Sequence, residues 1–341
     1  MSRTLLVAAS AGLLLAGCQP PPQQAQDAPP ASYYDNSSHA DAWSGGVRKL
    51  AISTPKGTFS VWLKRTGNNP KLKLLLLHGG PGATHEYFEA FDSFLPKEGV
   101  EYYNYDQLGS GNSDQPNDDD LWTTDRFVSE VDQVRRAIGG NKGNFCLLGH
   151  SWGGILAIEY ALAHQDQVKC LVISNMMASI PAYNDYANRV LKPQMDQTAL
   201  RRIEEIEKSG KTGDPEYLAL LMPNYYEQHI LRRPAAQWPD GVNRAFSHLN
   251  THLYTLMQGP SEMGASGRLE KWDRFTDLKH IAVPTLVIAG KYDTMDPGYM
   301  AAMAKQLPHG ELAMTNGGHM AFYDDQPTYF AKLTAFLRKF R

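Results

Sequence analysis

Short apolar runs alternate with amphipathic stretches along most of the chain. The apolar runs predict strands at residues 49–53, 59–63, 72–77, 100–105, 144–148, 168–174, 284–289 and 311–314. Apolar positions spaced three or four residues apart predict helices at 124–138, 154–164 and 297–306. Strands that alternate with helices favour a doubly wound, mostly parallel α/β sheet, in which ligands bind at the carboxyl ends of the strands.

This alternation breaks between residues 176 and 280. Helical segments at 188–209 and 215–232 carry Arg, Glu and Tyr there without a clear strand. A second, unrelated domain is one interpretation. Because strand and helix alternate again from Val283 onward, the sequence favours a helical cap inserted into one α/β unit. The two parts of that unit are then residues 45–175 and 281–341.

The first 17 residues predict an export signal. Arg3 supplies a positive charge, and residues 5–15 are apolar but too short to cross a bilayer. The residues Leu-Ala-Gly-Cys that end at Cys18 resemble the lipobox of bacterial lipoproteins, which implies cleavage before Cys18 and lipidation of its thiol. The alternative is an ordinary cleaved signal with an incidental cysteine. Residues 18–44 are rich in Pro, Gln and Ala, which predicts a flexible tether.

Composition and charge narrow the classes of partner. A chain with 42% hydrophobic and 20% charged residues is typical of a globular protein. The formal net charge of −3 gives no general attraction to phosphate backbones, so we expect no nucleic acid partner. No histidines have metal-ligand spacing beside an acid, so we expect no metal or cofactor.

Cys146 and Cys170 lie on strands that we expect to be neighbours. We expect both to be buried free thiols. A disulfide between them is the alternative, because export would allow one to form.

A Gly-x-Ser-x-Gly motif occupies residues 149–153, between a predicted strand and a predicted helix. Small residues on both sides of the serine let the chain turn sharply, so that the serine side chain is held at the tip of the strand. The five letters alone recur by chance, but the strand, turn and helix around them make the signal strong. The motif predicts Ser151 as the nucleophile of a hydrolase.

A nucleophilic serine needs a base and an acid that orients the base. His319 follows a late strand and two glycines, in the chain order serine, acid, histidine that such folds use. Asp293 follows the preceding strand and is the favoured acid, with Asp296 as its rival. We interpret His78 and His150 as structural.

A tetrahedral intermediate also needs hydrogen-bond donors for its oxyanion. One should be the backbone N–H of Trp152, the residue after the nucleophile, and the other an N–H of the glycine-rich loop at residues 78–82. Gly79 and Gly80 let a substrate approach the backbone of this loop closely. The loop lacks the Gly-Lys-Ser/Thr ending of a phosphate loop, which disfavours a nucleotide ligand.

Together with further motifs, these residues resemble the proline iminopeptidase family of α/β-hydrolase serine peptidases. The matching segments are His-Gly-Gly-Pro-Gly at 78–82, Tyr-Asp-Gln-Leu-Gly-Ser-Gly-Asn-Ser at 105–113, Gly-His-Ser-Trp-Gly-Gly at 149–154, Met-Gln-Gly-Pro-Ser-Glu at 257–262 and Gly-Lys-Tyr-Asp at 290–293. They span the chain from about residue 45 to its end. The resemblance implies an α/β-hydrolase fold with the triad Ser151, Asp293 and His319, and with Gly80 and Trp152 as oxyanion donors.

The family also anchors the free amine of its substrate with carboxylates. Glu262 matches one of them. A second glutamate normally follows the triad aspartate, and this chain has Thr294 in that position. Either Asp296 takes its place or the amine is recognised more weakly. We also expect Gly79 to contact the substrate.

The resemblance implies an enzyme that releases an N-terminal residue, preferably proline, from peptides or amino-acid amides through an acyl-enzyme. One alternative is a carboxylesterase or amidase for substrates without a free amine, in which Glu262 would have no clear use. Another is a non-catalytic ligand-binding lipoprotein, against which the intact serine, histidine and aspartate argue. The leader implies a lipid anchor at Cys18 in the bacterial cell envelope, and Gln19 beside it favours the outer membrane on its periplasmic side.

Overall fold

A computed structural model describes residues 46–69 and 71–341. The predicted export signal, the tether up to residue 44 and the lipidation site Cys18 lie outside the described residues. The predicted α/β class is confirmed by an eight-stranded sheet with the order β1-β2-β4-β3-β5-β6-β7-β8. The strands are β1 (Val47–Thr54), β2 (Gly57–Thr66), β3 (Lys73–Leu77), β4 (Glu101–Asp106), β5 (Phe145–His150), β6 (Cys170–Ser174), β7 (Thr285–Gly290) and β8 (Gly310–Thr315).

Most neighbouring strands of this sheet run parallel. The first two form an antiparallel hairpin, β2 is also antiparallel to β4, and every later pairing is parallel. Successive side chains of a strand point to opposite faces. In β3, Leu75 and Leu77 therefore enter one apolar core while Leu74 and Leu76 enter the other. Burial on both faces explains why this strand reads as an uninterrupted run of leucines.

Eleven α-helices lie in the described part of the chain. They are α1 (Thr124–Ala137), α2 (Trp152–His164), α3 (Ile180–Tyr186), α4 (Gln197–Lys208), α5 (Pro215–Leu221), α6 (Glu227–His229), α7 (Asp240–Ser247), α8 (Thr251–Met257), α9 (Pro297–Gln306), α10 (Ala321–Asp324) and α11 (Gln326–Leu337). Helices α1, α2 and α9 contribute to one core, and α11 packs into the other. None of these helices is long and apolar enough to cross a membrane.

Six helices, α3 to α8, lie between β6 and β7. The interpretation of residues 188–209 as one continuous helical segment is wrong, because α4 begins only after Asp196. The Asp196 carboxylate accepts hydrogen bonds from the backbone N–H groups of Thr198 and Ala199, which caps the new helix. Residues 215–232 are likewise divided into α5, a π-helical turn at Met222–Tyr226 and α6.

The two strand cysteines form a disulfide. Cys146 of β5 and Cys170 of β6 are register partners in the parallel ladder, with Cα atoms 4.6 Å apart, and both are fully buried. The expectation of free thiols is therefore wrong for this pair. The disulfide that the sequence analysis gave as the alternative is the one present in the structure.

Candidate active site

Ser151 occupies a sharp turn between β5 and α2. Its backbone is in the left-handed region, with φ at 57°, which is costly for a residue with a side chain and is typical of a nucleophile at such a turn. A Cβ atom on Gly149 would overlap the carbonyl of Gly153, and one on Gly153 would overlap the carbonyl of Leu77. The two glycines of the motif are therefore required by the close approach of backbone to backbone.

His319 and Asp293 form a buried hydrogen-bonded pair. The Nδ1 atom of His319 lies 2.8 Å from Oδ1 of Asp293, and the Asp293 side chain is fully buried. Asn175 donates from Nδ2 to the other carboxylate oxygen at 2.7 Å, and the N–H of Met295 donates to Oδ1 at 3.1 Å. The carboxylate is thus satisfied on both oxygens and fixes the imidazole ring in one orientation.

Burial and charge act in opposite directions on this pair. Burial disfavours the ionised form of Asp293, but His319, Asn175 and the N–H of Met295 hold the pKa of Asp293 below its ordinary value. Burial likewise disfavours protonation of His319, while the Asp293 and Glu262 carboxylates raise its pKa above the ordinary value. The two carboxylates therefore stabilise the imidazolium that forms when His319 accepts the proton of a serine.

The far nitrogen of His319 is buried and has no hydrogen-bond partner among the described residues. Because Nδ1 donates to Asp293, Nε2 is the acceptor in the neutral ring. His319 and Ser151 both line a cavity of about 550 Å³ between the sheet and the helical segment that follows β6. The structure therefore brings the predicted nucleophile and base to one cavity, with the base in the tautomer that accepts a proton.

A chain of hydrogen bonds joins the glycine-rich loop to the base. The N–H of Gly79 donates to Oη of Tyr87, which donates in turn to Nδ1 of His150 at 3.1 Å. The opposite nitrogen of His150 donates to the backbone carbonyl of His319 at 2.9 Å. Burial, and then the neighbouring His319, lower the pKa of His150 to about 3, so its ring is neutral and can accept from the phenol. His150 thus has the structural role that the sequence indicated.

Gly80 and Trp152 are the oxyanion donors that the sequence predicts. The Gly79 amide is used by Tyr87, whereas Gly80 lines the cavity beside Ser151. Trp152 is the first residue of α2, where backbone N–H groups have no acceptor within the helix. Gly79 itself lies against the Ser151 side chain, where a Cβ atom would meet Ser151 Cβ at 2.9 Å.

Gln107 connects the two segments that carry these donors. Its side-chain amide donates to the carbonyl of His78 at 2.9 Å and accepts from Nε1 of Trp152 at 2.8 Å. Its own N–H donates to Nε2 of His78 at 3.0 Å. The loop before Gly79 and the turn after Ser151 are therefore held by one buried side chain.

Tyrosines of the cap surround Glu262. Tyr254 donates to Oε1 of Glu262 at 2.6 Å, and Tyr183 donates to the backbone carbonyl of Glu262. The N–H of Glu262 donates to Oη of Tyr226 at 3.3 Å. Burial raises the pKa of Glu262 above its ordinary value, opposed by His319 and by the hydrogen bond from Tyr254. Glu262 lines the same cavity as Ser151 and His319, so the structure joins it to the triad.

Asp296 lies outside the cavity that Ser151, His319 and Glu262 line. Its carboxylate accepts from the N–H of Gly298 at 2.8 Å and caps α9, and it is not among the residues that line the cavity. The idea that Asp296 replaces a second amine-binding carboxylate finds no support in this position. Thr294 is fully buried, and its hydroxyl donates to Oδ1 of Asp293 at 3.2 Å. The residue that departs from the family pattern thus supports the triad acid.

Sequence reasoning did not find Tyr87, Gln107 or Asn175. A signal existed for Asn175, since it follows β6 directly and the carboxyl ends of parallel strands meet at one edge of the sheet. Gln107 follows β4 in the same way. Tyr87 lies in a 3-10 segment, His85–Ser93, whose apolar positions Tyr87, Phe88 and Phe91 lie on one helical face, so a signal existed here too. Among the described residues, no group of three or more His, Cys, Asp or Glu side chains could hold a metal ion.

A serine at a strand-to-helix turn, a buried histidine–aspartate pair and a mostly parallel sheet together define an α/β hydrolase of the serine type. The model of the alpha/beta hydrolase fold family matches residues 74–326. The proline iminopeptidase of Flavobacterium johnsoniae is 53% identical over 289 residues, which cover 84% of this chain and 97% of that protein. The proline iminopeptidase of Elizabethkingia meningoseptica is 52% identical over 292 residues, which cover 85% and 97%.

A solved structure agrees with these relatives. The crystal structure of proline iminopeptidase from Mycobacterium smegmatis matches with a TM-score of 0.74 at 27% identity, over 86% of this chain and 98% of that one. The chain therefore belongs to the α/β-hydrolase fold family and, within it, to the proline iminopeptidases.

Removal of the Tyr87 hydroxyl should slow the chemical step. Tyr87→Phe deletes the acceptor of the Gly79 N–H and the donor to His150, so the neighbouring Gly80 donor is held less firmly. We expect kcat to fall about tenfold with KM nearly unchanged, because an oxyanion donor acts mainly in the transition state. The control is Tyr160→Phe, which removes an equally buried hydroxyl bonded to Asp132 on the far side of α2. Equal kcat in both variants would contradict the positioning role.

The pH dependence should reveal the charge on His319. His319 must be neutral to accept a proton, so kcat/KM is lost as pH falls through its pKa. Because that pKa lies above the ordinary 6.5, the acidic midpoint for a nitrophenyl ester should lie above 6.5. Glu262→Gln removes a carboxylate that raises the pKa of His319, so the midpoint should move to lower pH, whereas Glu207→Gln should not move it. A midpoint that stays in place in Glu262→Gln contradicts this electrostatic coupling.

Proposed function

We propose that this protein is a serine exopeptidase that releases an N-terminal residue, preferably proline, from peptides or amino-acid amides in the bacterial cell envelope. The observation that carries the proposal is one cavity that contains Ser151, His319 and the partly buried carboxylate of Glu262. The name of the relatives at 52% and 53% identity, proline iminopeptidase, supports the same reaction.

Glu262 explains why such an enzyme acts at a chain terminus. An isolated carboxylate is costly to bury, and the cost is offset when a cation binds beside it. Tyr254 occupies one oxygen of Glu262, and a substrate ammonium would supply the missing positive charge. Only the first residue of a peptide has an amine next to the scissile carbonyl, so the anchor selects the terminal bond.

The reaction then follows from the positions of the groups. His319 accepts the Ser151 proton as Oγ attacks the carbonyl, and Asp293 stabilises the imidazolium that results. The N–H groups of Gly80 and Trp152 stabilise the oxyanion. His319 gives the proton to the departing amine, and water then attacks the acyl-enzyme by the same route in reverse. No cofactor takes part in these steps.

A lipid anchor at Cys18 is the second part of the proposal. The leader sequence and the cysteine after Leu15-Ala16-Gly17 support it, and so does the disulfide between Cys146 and Cys170, which fits an oxidising compartment. The active domain would then be tethered to the envelope by residues 18–44, with peptides reaching it in the periplasm.

Glu262→Gln tests the amine anchor. The change removes the charge but keeps the size of the side chain, and a charge-assisted contact contributes about 1.5–3 kcal/mol. We expect kcat/KM on prolyl arylamide to fall by about one to two orders of magnitude. Simple esters without an amine should be affected little when assayed above the acidic midpoint. Glu207→Gln is the control, because Glu207 is a neighbouring cap carboxylate bonded to Tyr217 and Ser261 and does not line the cavity.

An equal loss on amine and ester substrates would mean that Glu262 does not bind the amine. Acetylated prolyl arylamide that is cleaved as well as the free form would favour a carboxylesterase or amidase instead.

Cys18→Ser tests the anchor. The full-length protein expressed in a Gram-negative host should be found in the outer-membrane fraction with a mass increased by acyl chains, because several chains give stable anchoring. The variant should be soluble or unprocessed. A membrane fraction and mass that do not change on substitution would contradict lipidation at Cys18.

A further inference from the structure

The cavity is much larger than the residue that Glu262 anchors. Its volume of about 550 Å³ is in the range that holds drug-sized ligands. The amine and the carbonyl of an N-terminal residue share one α-carbon, so that residue fills only the space between Glu262 and Ser151. On its acyl side an N-terminal residue carries only the amine and its side chain, and in proline these two are joined in one small ring. The remaining space therefore faces the group across the scissile bond.

The side chains that line the rest of the cavity are mostly apolar, and the polar ones among them, such as Thr212, Asn243 and Ser247, are uncharged. Leu221, Met222 and Trp238 line its wall, and Leu218 and Phe246 line it while 54% and 36% exposed. Exposed large apolar side chains at a ligand cavity are informative, because an exposed apolar patch often marks a binding site. The two residues mark the mouth of the cavity.

No lysine or arginine lines the cavity among the residues described, and Glu262 is its only Asp or Glu. The segment from Asn243 to Ser247 passes along the cavity, but the Arg244 within it forms ion pairs with Glu86, Glu89 and Asp240. No cation is therefore supplied to a substrate carboxylate.

We infer that the leaving-group side of this site selects a neutral, apolar residue and disfavours a carboxylate close to the scissile bond. The inference rests on the proposed function, since Glu262 and Ser151 define which side is which. A dipeptide with a free carboxyl terminus would place its carboxylate in a mostly apolar cavity without a lysine or arginine beside it, which is costly. The same dipeptide as an amide, or a longer peptide whose terminus reaches solvent, avoids that cost. The substrate class is thus peptides of three or more residues, or amides, with an apolar second residue.

The experiment compares kcat/KM for Pro-Phe-NH₂ with that for Pro-Phe, using the full-length protein. If proline is not accepted, the pair is built on whichever N-terminal residue a panel of arylamides shows to be cleaved, so a failure of prolyl preference is recorded separately. We expect the amide to be preferred by about tenfold or more. Lengthening the acid to Pro-Phe-Ala-Ala should remove most of the difference, because each residue carries the carboxylate about 3.3–3.6 Å outward.

A cation at the mouth of the cavity should reduce the preference for the amide over the free acid. Leu218→Lys should raise the ratio of kcat/KM on Pro-Phe to kcat/KM on Pro-Phe-NH₂ by about threefold or more. Leu312→Lys is the matched control, because Leu312 is 42% exposed on β8 and does not line the cavity. Equal kcat/KM on acid and amide in the unmodified enzyme would overturn the inference. So would a gain on the acid that is as large in Leu312→Lys as in Leu218→Lys.

Discussion

The hydrogen bond between His319 and Asp293 is the contact on which the rest of the site depends. Both groups are buried, and each would lose its charge if it were alone there. His319 is also fixed through its backbone, because its N–H donates to the carbonyl of His229 and its carbonyl accepts from His150. One residue thus joins the acid, the cap and the nucleophile turn, so a displacement in any of the three moves the base.

The low polarity around the His319–Asp293 pair also matters for the role proposed for Glu262. A carboxylate whose pKa is raised by burial is poorly stabilised without a cation, so in the proposed function the substrate ammonium would supply that positive charge. Glu262 also raises the pKa of His319. Neutralisation of Glu262 by a bound ammonium would lower that pKa and favour the neutral base. Glu262 and the base are thus electrostatically coupled, and in the proposed function this would couple catalysis to recognition of a free terminus.

The sequence was most informative where the chain follows regular periodicity. Local physical causes make three features predictable: the leucine run predicts strand β3, the Gly-x-Ser-x-Gly motif predicts the turn at Ser151, and Asp293 is predicted in the loop after β7. The cap was harder, because Asp196 and the π-helical turn at Met222–Tyr226 interrupt helices whose apolar spacing continues across the break. The Tyr87–His150 chain and the Cys146–Cys170 bond are contacts between distant segments. No spacing along the chain specifies them.

A crystal structure of the enzyme with the boronic acid analogue of proline would test the central claim most directly. We expect a covalent bond from Ser151 Oγ to boron, with one boronate oxygen within hydrogen-bond distance of the Gly80 and Trp152 N–H groups. We expect the ring nitrogen of the proline analogue within hydrogen-bond distance of the Glu262 carboxylate. A boronate on Ser151 whose ring nitrogen points away from Glu262 toward the apolar mouth would contradict the central claim.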